Sequence, residues 1–131
     1  MPYLNLDDGY PDHPKIEALS DAAYRFHGAA LFHAARYRLD GYLTAGQLQA
    51  RLRWSKRTEA ELLEGDLLHE PGTPCESKHC PPDDGKRYRL HDFLQWNKSR
   101  AYWDQERENA AKRKADWKAR QMEKEQESER D

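Results

Sequence analysis

Hydrophobic residues recur at helical spacing after Ser20 and then in shorter groups along the next eighty residues. The first stripe repeats every three or four positions, so it predicts a helix that begins at Ser20 and is buried along one side. Its members are Ala23, Phe26, Ala30, Ala34 and Tyr37. Before this helix, a weak alternation between Pro2 and Asp7 predicts a short strand.

The next hydrophobic group predicts a strand at Tyr42-Leu43 followed at once by a helix. Thr44 is the predicted N-cap, because Gln47 stands at the third helical position of a capping box. Leu43 and Leu48 have the spacing of a hydrophobic staple. This is the best-defined helix start in the chain.

A second short helix follows after a turn at Arg53-Trp54. Ser55 is its predicted cap, Ala60 and Leu63 are its predicted inward residues, and Gly65 is predicted to end it in a left-handed conformation. Two helices of about nine residues across a turn of about three residues have helix-turn-helix spacing.

Two further hydrophobic groups, at 67–69 and 87–90, flank a stretch rich in proline and glycine. We interpret them as the strands of a β-hairpin, the wing, with a long loop over residues 71–85. Such a long loop without a pattern of its own usually has a function or binds an ion. The predicted fold class is therefore mainly α with a small β-hairpin (α+β), a winged helix-turn-helix.

The last part of the chain has few hydrophobic residues and many charges. Ser99 is the predicted cap of a charged helix of roughly 25 residues, supported by oppositely charged side chains at four-residue spacing. We expect a winged-helix domain at 1–97 and a charged C-terminal helix at 98–131 that frays at its end.

Composition removes several classes of protein. The net charge is −2, so a basic surface must be local rather than global. The mean hydropathy is −1.22, and no stretch approaches the roughly 18 apolar residues of a membrane span. We expect a soluble, cytoplasmic protein that does not contact a membrane and whose oligomeric state, a dimer included, is open.

Basic residues cluster where a winged helix meets a DNA duplex. The predicted DNA-binding residues are Arg51, Arg53, Lys56, Arg57 and Thr58 around the second helix and Lys86, Arg87 and Arg89 in the wing. The alternative is a solvated charged surface, and Glu59, Glu61 and Glu64 favour it because carboxylates repel phosphates.

The long loop contains the chain's two cysteines. His69, Cys75, His79 and Cys80 offer four ligand types that zinc accepts, and a structural zinc ion would order the wing. The C-x4-C spacing is unusual for zinc, and adjacent His79 and Cys80 do not easily face one ion. Two free thiols or a loop disulfide are the alternatives, and no cofactor is required for the predicted fold.

His79, His91, Asn97 and the two cysteines include the residue types of a His-Asn-His nuclease site. This class is disfavoured, because the site needs a ββα hairpin that presents a histidine beside a metal, and Phe93, Leu94 and Trp96 are predicted to be core residues. Neither paired carboxylates nor a glycine-rich phosphate loop is present in the sequence. We expect a protein that is not an enzyme.

Four segments resemble a known family: YLNLDDGYPDHPKIEALSDAAYRFH, DGYLTAGQL, ELLEGDLLHE and HDFLQWNKSR. They are similar to the N-terminal winged-helix domains of phage and prophage replication-initiation (replisome-organiser) proteins, particularly those of actinobacterial phages. The resemblance implies origin-DNA binding through the second helix, at Lys56, Arg57 and Thr58, and through the wing.

The sequence thus predicts a winged-helix protein that binds double-stranded DNA in replication initiation or transcriptional regulation. Residues 98–131 are expected to contact a replication or host protein. The alternative is a protein-interaction module that uses the same fold and the C-terminal helix without binding DNA.

Overall fold

The computed structural model describes residues 3–130, and its contacts divide the chain into two units, Met1–Ser99 and Arg100–Asp131. The first unit carries helices and strands in the order α1 Pro14–Glu17, α2 Asp21–Arg36, β1 Tyr42–Leu43, α3 Ala45–Arg51, α4 Lys56–Glu64, β2 Leu68–His69, β3 Tyr88–Leu90 and α5 Phe93–Trp96. The second unit is a single helix, α6 Arg100–Arg130. The predicted α+β class, mainly helical with a small sheet, is confirmed.

The sheet is antiparallel with the strand order β1-β3-β2. Leu68 pairs with Leu90 and His69 with Arg89, so the predicted hairpin between the two groups of hydrophobic residues is confirmed. On its other side β3 pairs with β1, where Tyr42 faces Arg89. The central strand therefore joins the turn before α3 to the segment after α4.

Helix α2 is the strut of the core, as the hydrophobic stripe predicts, except that Tyr37 lies at the C-cap and is 47% exposed. Ser20 caps it, and Phe26 and Ala30 are fully buried against leucines from α3, α4 and the sheet. Those leucines are Leu43, Leu48, Leu52, Leu62, Leu68 and Leu90. Each buried leucine contributes roughly 1.5–3 kcal/mol relative to an exposed one, so this cluster supplies most of the driving force for folding.

Both predicted caps of the helix pair are present. Thr44 and Gln47 form a reciprocal capping box at α3, with the Gln47 amide N–H donating to Thr44 Oγ1 at 3.1 Å. Ser55 caps α4, and Thr58 takes the reciprocal role there by accepting from the Ser55 amide at 3.0 Å. These local signals fix where each helix begins.

Several sequence expectations for this unit are wrong, among them the core position of Trp96, whose side chain is 51% exposed. The described part of the N-terminal segment, residues 3–7, forms no strand, and the Asn5 amide donates to Asn97 Oδ1 at 2.8 Å instead. The buried residues of α4 are Thr58 and Leu62, whereas Ala60 is exposed and Leu63 is half-buried.

A further correction concerns the end of α4. Gly65 has φ of −80°, and the left-handed residue is Asp66, with φ of 58°. Aspartate tolerates this conformation better than most residues because its short polar side chain makes local hydrogen bonds. The chain therefore turns out of α4 at an acidic residue.

Gly41 is the glycine that the packing requires. Its φ is 90°, and a Cβ there would lie 2.8 Å from Phe93 Cβ and 2.9 Å from Pro81 Cγ. The turn between α2 and β1 thus closes against the segment that follows Cys80.

The buried His27 side chain is expected to make the fold sensitive to acid. It is 5% exposed, its Nδ1 lies 2.5 Å from the Tyr10 hydroxyl, and burial lowers its pKa from 6.5 to about 4. Above pH 6.5 the imidazole is neutral in both states. Between pH 6.5 and 4 the unfolded chain takes up a proton that the folded chain does not, so the free energy of unfolding falls by about 3 kcal/mol in all.

The measurement is urea unfolding of the native chain and of His27→Gln at pH 7.5 and 5.0. Glutamine keeps an acceptor for the Tyr10 hydroxyl and does not titrate, so its loss of stability between the two pH values should be smaller by about 2 kcal/mol. Comparing the two proteins removes the contribution of every other titrating group. Equal losses in both proteins would contradict the assignment.

Helix α6 runs for 31 residues, and most of its side chains are exposed. Trp117 and Met122 are large apolar side chains among them, exposed by 57% and 62%. Within the described residues, no helix has the length and apolar character needed to cross a bilayer.

Candidate metal centre and neighbouring basic surface

Four side chains from the hairpin and its loop converge on one point. His69 ends β2, Cys75 and Cys80 belong to the loop, and His91 follows β3. One ligand atom from each lies within 4.8 Å of all the others, and both cysteines are free thiols. This His2Cys2 cluster can hold a metal ion.

The distances inside the cluster suit a tetrahedral ion. His69 Nε2 lies 2.9 Å from His91 Nδ1, and Cys75 Sγ lies 3.5 Å from the same nitrogen. Zinc bonds of about 2.0–2.1 Å to nitrogen and 2.3 Å to sulfur give tetrahedral edges of about 3.3 Å between nitrogens and about 3.5 Å between nitrogen and sulfur. The two distances at His91 are therefore within a few tenths of an ångström of those around such an ion, and all four ligand atoms lie within 4.8 Å of one another.

The loop around the cysteines is held by its own hydrogen bonds. The Cys80 amide donates to the Ser77 carbonyl at 3.3 Å, and the Ser77 hydroxyl donates to Asp92. The Leu94 amide donates to the His79 carbonyl at 3.1 Å. These contacts turn the Cys80 side chain inward and attach the loop to the start of α5.

Burial sets the charge of the cluster. Burial, together with a smaller effect of the neighbouring Cys75, raises the pKa of the Cys80 thiol to about 11. It also lowers the pKa of His69, because the buried imidazolium is poorly solvated. A cation at the centre would reverse the preference of the thiols, since metal ligation requires thiolates and neutral imidazoles.

Three of the four sequence-predicted ligands belong to the cluster: His69, Cys75 and Cys80. His79 lies outside it, and His91 takes its place. The sequence analysis noted that adjacent His79 and Cys80 do not easily face one ion. In the structure Cys80 is the buried member of the pair, and the His79 carbonyl accepts a hydrogen bond from the Leu94 amide.

The strand register contains the signal for His91. His69 pairs with Arg89, so the residue two positions beyond Arg89 is its diagonal neighbour on the same face of the hairpin. That residue is His91. The pairing of His69 with His91 therefore follows from the sequence as soon as the register of the hairpin is known.

Arg89 is buried against the same loop and hydrogen-bonds to its backbone. It is 1% exposed, and its guanidinium donates to the carbonyl oxygens of Glu70, at 3.3 Å, and of Thr73. Its Nε lies 3.9 Å from Asp83, whose carboxylate in turn accepts from the Gly72 amide at 3.0 Å. A buried arginine and an aspartate thus tie both arms of the loop together.

This burial corrects two of the predicted DNA contacts. Arg89 is committed to the loop interior, and Thr58 is 4% exposed with its hydroxyl bonded to Ser55. In this conformation neither side chain reaches a duplex. Arg87 is partly engaged, because its Nε donates to Asp84 at 2.7 Å and its guanidinium lies 3.9 Å from the Tyr42 ring centre.

The other predicted contacts lie on the surface. The exposed basic residues are Arg51, Arg53, Lys56, Arg57 and Lys86. Lys56 and Arg57 form the first turn of α4, directly after the Ser55 cap. A helix N-terminus adds its partial positive charge to theirs, which makes this end of α4 attractive to anions.

Two of the carboxylates on α4 have partners inside the protein. Glu59 accepts from the Trp54 indole at 3.2 Å. Glu61 accepts from the Ser20 amide at 3.0 Å and from the Ser20 hydroxyl at 2.7 Å, and so helps to cap α2. The acidic residues that counted against DNA binding in the sequence therefore serve tertiary contacts at two of three positions.

No protein-family model matches the chain, and neither the curated proteins nor the solved structures contain a match to it. The chemistry of the site itself therefore carries the functional proposal.

Proposed function

We propose that the chain is a winged-helix DNA-binding protein whose wing is ordered by a structural zinc ion. The order of its elements supports this: α2, β1, the helix pair α3 and α4, and then the hairpin β2-β3 that completes the sheet. In helix-turn-helix proteins the N-terminal residues of the second helix of the pair contact the major groove.

The observation that carries the proposal is the charge distribution on α4. Lys56 and Arg57 are exposed in its first turn, while Glu59 and Glu61 are bonded to Trp54 and Ser20. Both carboxylates keep their charge, but they are held against Trp54 and Ser20, and the cations are concentrated in the first turn of the helix. Arg53 before the helix and Lys86 in the wing extend it.

Zinc is the ion that the ligand set favours. Two thiols and two imidazoles in a compact, largely buried cluster suit a borderline-soft ion in a tetrahedral site. With all four ligands supplied by protein, no coordination position is open to a substrate, which supports a structural rather than a catalytic role. The ion would fix Cys75 and Cys80 to the two strand ends.

The resemblance to phage replication-initiation proteins supports a role at an origin, and a small transcriptional regulator would use the same contacts. A second candidate function is suggested by α6. Trp117 and Met122 are exposed apolar side chains on a helix with many charges, which suits capture of a replication or host protein.

DNA binding is tested by titrating zinc-loaded full-length protein into fluorescently labelled random-sequence duplexes at 50 and 200 mM salt. About five phosphate contacts give a slope near −4.5 in log affinity against log salt, so binding should weaken roughly 500-fold. Absence of binding at the lowest salt, or an affinity that ignores salt, would overturn the proposal and favour the protein-interaction module. Selection from the same random library then gives the preferred sequence.

A further inference from the structure

Asp66 lies beside both histidines of the cluster. It is the left-handed residue that follows α4, and its two carboxylate oxygens point to different rings. Oδ1 lies 3.6 Å from His69 Nδ1, and Oδ2 lies 3.9 Å from His91 Nε2. One carboxylate therefore lies within ion-pair distance of two imidazoles.

The nitrogens that face Asp66 are the ones turned away from the centre. His69 directs Nε2 into the cluster and Nδ1 to Asp66, whereas His91 directs Nδ1 into the cluster and Nε2 to Asp66. A histidine that binds a metal through one nitrogen carries its proton on the other and usually donates it to a carboxylate or carbonyl. Such a partner fixes the tautomer, orients the ring and makes the ligand more basic.

We propose that Asp66 is the shared outer carboxylate of the metal centre, which selects the tautomers of both histidine ligands and joins the ion to the end of α4. The inference rests on the proposed zinc ion. It assigns a positioning role to a residue that is not itself a ligand, and it links metal occupancy to the helix that carries Lys56 and Arg57.

Two neighbouring groups complete the arrangement. Lys15 of α1 places Nζ 3.4 Å from Asp66 Oδ2, so the carboxylate also connects the centre to the N-terminal segment. Asp92 lies 3.3 Å from His91 Nε2, but its other oxygen accepts from Ser77. Asp92 therefore lies nearer to His91 than Asp66 does and shares that histidine with it, while Asp66 lies beside both rings.

The test variant is Asp66→Asn, with Glu70→Gln as the matched control. Asparagine keeps the tolerance for positive φ and the size of the side chain but loses the charge. Glu70 is an exposed carboxylate one residue from His69, so its loss controls for the change in net charge near the site. Full-length proteins are compared by zinc competition with a chromophoric chelator and by the visible absorption of the cobalt(II) form.

Asp66→Asn should weaken zinc binding 10- to 100-fold and change the cobalt(II) spectrum, whereas Glu70→Gln should stay within about twofold of the native chain. Unchanged affinity and spectrum in Asp66→Asn would overturn the role of Asp66 and leave the zinc proposal intact. A native chain that binds no metal overturns both. An affinity loss fully explained by lower thermal stability of the metal-free variant would show a structural role instead and also overturn the inference.

Discussion

Chelating the ion from the zinc-loaded protein should lower the midpoint of thermal unfolding by about 15 °C or more. A ligand held at 1,000 times its dissociation constant stabilises the folded state by about 4 kcal/mol. For a unit of about 100 residues each kcal/mol corresponds to roughly 4–8 °C. The ion is expected to contribute this much because Cys75 and Cys80 lie in a long loop, residues 71–85, that contains no strand or helix of its own.

The measurement is circular dichroism during heating, with and without a strong chelator, on protein whose zinc content has been determined by elemental analysis. The control is the double variant Cys75→Ser with Cys80→Ser, whose midpoint should already be low and should not respond to the chelator. Equal midpoints for loaded and chelated native protein would rule out a stabilising ion. Less than one zinc per chain in protein purified without a tag would end the zinc assignment earlier.

Reversing the charge of both Lys56 and Arg57 to glutamate should reduce DNA affinity at least 100-fold at low salt while leaving stability almost unchanged. Two attractive contacts become two repulsive ones, and the phosphate backbone supplies most of the affinity of such complexes. Both side chains are exposed, and acidic residues in the first turn of a helix are favourable. The change in stability should therefore stay within about 0.5 kcal/mol.

A second double variant, Arg25→Glu with Arg107→Glu, provides the control for net charge. It makes the same change in charge at exposed positions of α2 and α6 that are not among the predicted DNA contacts. Its affinity should fall by much less than that of the first variant. If both variants lose affinity to the same degree, the first turn of α4 is not the contact and binding follows net charge alone.

The features that depend on neighbouring residues in the sequence were predictable. The Thr44 and Ser55 caps, the α2 stripe and the two strands of the hairpin all follow from spacing within a few positions. The inward face of α4 was not predictable in this way. Thr58 is buried because its side chain bonds to Ser55 in the cap, and Leu62, one turn later, lies on the same buried face. The predicted face, with Ala60 and Leu63 inward, is rotated by about half a turn from the observed one, because the cap at Ser55 was predicted but the burial of its partner Thr58 was not.

The candidate site shows the same division. The residue types of the ligand set were visible in the sequence, but the choice of His91 over His79 depends on the register between β2 and β3. Likewise, Arg87 and Arg89 look alike in the sequence, but Arg89 lies within β3 and is buried against the loop, whereas Arg87 precedes the strand and contacts the Tyr42 ring. Long-range pairing therefore decides what local chemistry only suggests.

Gly41 provides a second packing contact for the loop at residues 71–85 that carries Cys75 and Cys80. Pro81 follows Cys80 directly, and its ring rests where a side chain at position 41 would be, with Phe93 closing the other side. The loop thus packs against the backbone of a glycine forty residues earlier in the sequence. Any side chain at position 41 would displace Pro81 and, with it, the adjacent Cys80. Metal affinity should therefore change although no ligand and no residue of the loop is replaced.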